Sequence, residues 1–158
     1  MRIFHLAAAA AALCLQAGAA SAQVSPQAVS DWLSGRQLTP ELVTEGEDPF
    51  IRVRDGDLTW LLFFYGCTAE GCDSLQFGAG FTNDQIIVET VNGWNRDRRF
   101  LKAYFEPGDE GSAIVQYDVI PTRGAPMDHL GDHVDLWRGT LNDFAVHVGY
   151  LEPAPGAE

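Results

Sequence analysis

The sequence predicts an α+β fold, an antiparallel sheet with helices packed on one face, in the order α-β-β-β-β-α-β-β-α. Two patterns point to it. Short apolar runs alternate in and out between Gly, Pro, Asn and Asp clusters, as half-buried strands do. Three other stretches repeat apolar residues three and four apart, as amphipathic helices do. Segregated runs of this kind, without a regular β-α alternation, belong to an α+β layer fold. The chain has 158 residues, 46% of them hydrophobic and 11% aromatic, so one domain with a substantial core fits and a second does not. Charged residues make up 20%, with 22 Asp and Glu against 10 Lys and Arg, a net charge of −12. That composition excludes collagen-like, coiled-coil and strongly disordered chains, and so acidic a surface is poorly suited to nucleic acid.

The elements follow in order. Residues 1–22 are read as a signal peptide. Arg2 gives a positive start, an uncharged Ala-rich stretch follows, and Ala20-Ser21-Ala22 fits the small-x-small cleavage rule. The mature chain then starts at Gln23, without Arg2 and Cys14, and with nine basic residues against 22 acidic. No later segment is long and apolar enough to span a bilayer, so a soluble periplasmic or secreted protein is expected. Ser25-Pro26 opens the first helix, with Val29, Trp32 and Leu33 on one face and Gly35 as the stop. Strands are predicted at Glu41–Glu45, Phe50–Arg54, Leu58–Tyr65 and Cys72–Phe81. Thr82-Asn83-Asp84-Gln85 reads as a capping box opening a helix whose buried face carries Ile87, Val91 and Trp94. Phe100–Glu106 and Ala113–Ile120 form the next two strands. Pro126 starts the longest helix, with Met127, Leu130, Val134, Trp137, Leu141, Phe144 and Val148 on its stripe. Residues 152–158 form a Pro/Gly tail, which leaves 23–151 as a single domain without internal repeats.

Export decides the cysteines. Cys67 and Cys72 are an even pair in an oxidising compartment, without the C-x2-C spacing or neighbouring ligands of a metal or redox site, so they are expected as a structural disulfide. Closing so small a loop contributes about 2 kcal/mol. If the two cysteines face each other, paired positions place Leu58, Trp60, Leu62 and Phe64 beside Leu75, Phe77, Ala79 and Phe81 on one face, which must be the core. The opposite face carries Leu61, Phe63 and Tyr65 beside Ser74, Gln76, Gly78 and Gly80. Large apolar side chains next to glycine backbone suit close approach by another element, so this face is the candidate interaction surface, expected to make a homodimer or receive a client polypeptide unless one of the helices or the N-terminal arm folds over it.

The runs Phe64-Tyr65-Gly66-Cys67 and Ser74-Leu75-Gln76-Phe77, and above all Val91-Asn92-Gly93-Trp94-Asn95 followed by Arg99-Phe100 and Ala103-Tyr104, resemble the YbjN family, as does Asp135-Leu136-Trp137. Its members are described as bacterial sensory transduction regulators. The resemblance spans nearly the whole mature chain. It implies a fold like the type III secretion chaperones, small α/β homodimers that hold other polypeptides, and it implies no enzyme activity and no assigned catalytic residue; no cofactor is expected.

Two constellations compete with that reading. His129 and His133 stand four apart on one helix face, a spacing that can chelate zinc or copper, but no third ligand is identifiable. Arg96, Arg98, Arg99 and Lys102 concentrate four of the nine remaining cations, either opposing the negative end of a helix or forming a docking patch for an acidic partner. Nucleophilic catalysis finds no support, with both mature cysteines in the disulfide and no G-x-S-x-G elbow. The leading expectation is an exported, non-catalytic binding module with a protein or peptide partner. The alternatives are a periplasmic metal-binding protein using His129 and His133, or an unrecognised hydrolase.

Overall fold

The computed structural model describes residues 24–46, 48–108, 111–122 and 125–153. The signal peptide expected at 1–22, the mature start at Gln23 and residues 154–158 of the tail lie outside the described residues. In chain order the elements are α1 (Pro26–Ser34), β1 (Thr39–Val43), β2 (Phe50–Asp55), β3 (Leu58–Tyr65), β4 (Ser74–Thr82), α2 (Val88–Asp97), β5 (Lys102–Glu106), β6 (Ser112–Val119) and α3 (His129–His147). This is the expected α+β order. The strands form one six-stranded sheet, β1-β2-β3-β4-β6-β5, every pairing antiparallel.

The hairpin register matches the one inferred from the cysteines. Leu61 pairs with Gly78, Phe63 with Gln76 and Tyr65 with Ser74. Cys67 and Cys72 are joined in a disulfide just beyond the last pair. Because strand side chains alternate, Trp60, Leu62, Phe64, Leu75, Phe77, Ala79 and Phe81 turn together to the buried face. All three helices cover it. Trp137 of α3 packs on Trp60 and Phe77, with ring centroids 6.3 and 5.5 Å apart, and Phe144 packs on Phe81 at 5.6 Å. Trp94 of α2 stands edge-on to Phe144 at 5.0 Å. On α1, Val29 and Leu33 are fully buried, and Trp32 Nε1 donates to Asp128 at 3.3 Å beside α3.

Ser25 caps α1 as expected, its hydroxyl accepting from the Ala28 amide at 3.3 Å. The start of α2 is a correction. The Thr82–Gln85 box does not open a helix, because its side chains are engaged elsewhere. Thr82 bonds Ser112 across the sheet at 2.9 Å, while Asn83 accepts from the Gln85 amide at 2.8 Å in an Asx turn. The helix begins at Val88, so Ile86 is buried and Ile87, expected on the buried face, is the exposed N-cap residue. At the other end, Phe100 has φ +77° and is exposed, which delays β5 to Lys102. Pro126 starts a turn rather than the helix itself. The His129 amide bonds its carbonyl at 3.0 Å before α3 proper begins.

Candidate functional site

The face of the sheet away from the helices is covered by none of the described elements. The register sets its composition row by row. Val43, Phe50, Phe63, Gln76 and Asp118 lie across one row, and Glu41, Arg52, Leu61, Gly78, Gln116 and Lys102 across the next. Phe50 and Phe63 pack at 5.7 Å between ring centroids. Phe63 also lies over Gly78, its ring edge 3.5 Å from where a Cβ would stand, so Gly78 is buried under an aromatic ring. Gly80 stays exposed, next to Ile114. Leu61 and Phe63 are half-buried, and Tyr65 is 48% exposed. The five sequence-selected residues Leu61, Phe63, Tyr65, Gly78 and Gly80 therefore share one face.

A polar network borders this apolar strip on the β6 side, and the sequence reading missed it. Gln76 donates to Asp118 at 2.7 Å, Lys102 donates to the other oxygen of Asp118 at 2.8 Å, and Gln116 donates to Gln76 at 3.1 Å. The hydrogen bond from Lys102, and then that from Gln76, holds the Asp118 carboxyl below the usual carboxylate range. On the opposite side Arg52 pairs with Glu41 at 3.0 Å. Only the cross-strand register could have placed these partners, because they come from five strands.

Both edges of the sheet are blunted. At the β5 edge, the Asn95 amide of α2 donates to the Ala103 carbonyl at 2.8 Å and accepts from the Ala103 N–H at 3.0 Å, filling the place of a neighbouring strand. At the β1 edge, Pro40 has no N–H to offer an added strand. A partner therefore meets a blunted edge on either side and an open face between them.

The structure divides the basic cluster. Arg96 pairs with Asp97 at 2.6 Å, Arg98 and Arg99 lean over the rings of Trp94 and Phe100, and Lys102 belongs to the open-face network. His129 is exposed and His133 half-buried, and both line a cavity of about 240 Å³ between the first turns of α3 and the segment after β6. His133 Nδ1 bonds the Tyr117 hydroxyl at 2.8 Å. His147 is elsewhere, bonded to the Thr90 carbonyl at 2.9 Å. Among the described residues, no group of three or more His, Cys, Asp or Glu side chains gathers as a metal site. Nor is any described helix long and apolar enough to cross a membrane.

Residues 25–149 match the model of the YbjN family, described as "Putative bacterial sensory transduction regulator". The chain belongs to the YbjN family. A solved structure titled "Crystal structure of YbjN, a putative transcription regulator from E. coli" is similar to it, with a TM-score of 0.60 and 9% identity over 78% of this chain and 90% of that one. At that identity the likeness is one of fold. No curated protein matches the chain. The Trp94-Asn95 pair that carries the YbjN resemblance has a structural role in this domain. Trp94 is buried against α3, and Asn95 closes the β5 edge.

Proposed function

We propose that this YbjN domain is exported, loses residues 1–22, and acts as a non-catalytic protein-binding module that engages a polypeptide partner or a second copy through the open face of its sheet. The observation that carries this reading is the strip of Phe50, Leu61, Phe63 and Tyr65, covered by none of the described elements and lying between two blunted edges. A contiguous apolar patch rimmed by polar groups is the ordinary signature of an interaction surface. Its rim of Arg52–Glu41 and Lys102–Asp118 pairs supplies register and specificity rather than bulk affinity. The expected disulfide framework and the acidic surface suit an extracytoplasmic protein, and the family's description as regulators of sensory transduction suits a module that works by holding another protein.

Phe63→Asp tests the proposal. The side chain faces away from the helices, so the variant is expected to stay folded with the parent's circular dichroism, at a stability cost of about 1–2 kcal/mol for the packing lost on Phe50 and Gly78. A buried charge at the centre of an interface costs about 2 kcal/mol or more, so self-association or partner binding should fall at least about thirtyfold in sedimentation and pull-down assays. Unfolding of the variant, or association equal to the parent's, defeats the proposal.

A further inference from the structure

The open face is electrically neutral in an acidic protein. Its strand positions carry three acids, Glu41, Glu106 and Asp118, and three bases, Arg52, Arg54 and Lys102, while the whole chain has a net charge of −12. The entire surplus of acid therefore lies elsewhere. A second copy of so acidic a chain is repelled by those other surfaces, and this face is where it can approach without that penalty.

The charges on the face are also ordered. On the β1 side the anion is outermost, Glu41, with Arg52 of β2 inside it at 3.0 Å. On the β5 side the cation is outermost, Lys102, with Asp118 of β6 inside it at 2.8 Å. Bulk follows the same division. Phe50, Leu61 and Phe63 stand on β2 and β3, against Gly78 and Gly80 on β4.

These asymmetries complement one another when one sheet is turned onto another about a two-fold axis running along the strands between β3 and β4. The order β1-β2-β3-β4-β6-β5 then lies on its own reverse, with β1 over β5, β2 over β6 and β3 over β4. Glu41 of one copy faces Lys102 of the other, because both stand in the row that runs through Arg52, Leu61, Gly78 and Gln116. Arg52 faces Gln116, beside Asp118. Phe63, on a strand next to the axis, lies beside its own copy, and the bulk of β3 meets the glycines of β4. The strands of the two sheets stay aligned, the usual geometry of sheet-on-sheet packing. A two-fold axis across the strands at the same row would instead set Glu41 on Glu41 and Lys102 on Lys102.

We infer that the open face pairs with a second copy of this chain, sheet on sheet, about the axis along the strands. The inference rests on the open-face reading above and commits it to one occupant.

Sedimentation equilibrium of the parent is expected to show a dimer. Glu41→Lys and Lys102→Glu each bring like charges together at both margins of the interface, so each should weaken self-association at least about tenfold. Both sites are exposed, so both variants should keep the parent's circular dichroism. Mixed in equal amounts, the two variants should recover the parent's association. In the mixed pair the new cation at position 41 of one chain faces the new anion at position 102 of the other, and the opposite margin is unchanged. A parent that stays monomeric at about 1 mM overturns the inference and leaves the open-face reading to a different polypeptide. Variants that dimerise as the parent does, or a mixture that associates no better than its components, overturn it as well. A dimer that survives Phe63→Asp overturns the inference and the open-face reading together.

Discussion

Replacing Asn95 with Ala removes the two hydrogen bonds that tie the last turn of α2 to the outer edge of β5. Both are well formed, at 2.8 and 3.0 Å, and both are part-buried. A net hydrogen bond is worth about 1 kcal/mol, and an amide left unpaired in a buried place costs more. The Ala103 backbone sits at a sheet edge where water can reach it, so the sum should be about 2 kcal/mol rather than the larger loss of a core pair. For a domain of this size that corresponds to a fall of about 6–10 °C in Tm. Urea denaturation of the oxidised protein, followed by circular dichroism, should show a lower midpoint at unchanged slope. A second readout comes from the edge itself. With Asn95 gone, β5 presents unpaired groups to solvent, and the variant should self-associate more than the parent at equal concentration. Asn95→Asp separates the two bonds. Its carboxylate can still accept from the Ala103 N–H but faces the Ala103 carbonyl without a proton to donate. It should therefore be at least as unstable as Asn95→Ala at pH 7 and recover towards the parent below about pH 4, where the carboxyl carries a proton again. A stability for Asn95→Ala within about 0.5 kcal/mol of the parent would refute the role given to this side chain.

Gly111→Ala should cost about 3 kcal/mol or more by urea denaturation, because a Cβ there runs into the Ile86 carbonyl oxygen, whereas Gly139→Ala in α3, with open space around it, should gain about 0.5–1 kcal/mol. Asp118→Asn should destabilise at pH 7 by at most about 1 kcal/mol, since Lys102 and Asp118 are both solvent-exposed and salt screens them. The Asp118 carboxyl is depressed in the fold, so its contribution is present above the ordinary carboxyl pKa near 4 and lost as pH falls through the folded value. The gap between variant and parent should close in acid and narrow in high salt. Reducing Cys67–Cys72 should lower stability by about 2 kcal/mol, and intact mass of the exported form should begin at Gln23 and run two hydrogens below the reduced chain.

The parts of this fold that were legible in the sequence were those set by period and by covalent constraint. The strand period of two, anchored by Cys67 and Cys72, placed every pair of the β3–β4 hairpin and told its buried face from its open one. The stripe from Met127 to Val148 located α3 because seven apolar positions agree on one face. What failed were assignments resting on a few polar side chains. Thr82 and Asn83 have the chemistry of a helix cap and spend it on Ser112, Gln85 and the Val148 carbonyl, partners remote in sequence or set by a turn. The glycines were legible as a gap in the open face, but the ring of Phe63 fills the gap at Gly78, and nothing local in the sequence says which neighbour will lean over. The Gln76–Asp118–Lys102 network joins three strands that only the β4–β6 and β5–β6 registers bring together.

The same contrast explains why the basic run is divided in the fold. Four cations in one short stretch suggest a patch while the chain is read as a line. The φ of +77° at Phe100 turns the chain sharply between α2 and β5, so that Lys102 enters the sheet while Arg96, Arg98 and Arg99 remain at the helix end. Lys102 then contributes its charge to Asp118, on the open face, and Arg98 and Arg99 cover the aromatic rings of Trp94 and Phe100. A partner drawn to positive charge would find only a loose group at the end of α2. The open face offers more, an apolar strip with paired charges at its margins. Binding there would be read in lost apolar area and a slow dissociation, with weak dependence on salt. Strong salt dependence would point instead to the arginines at the end of α2.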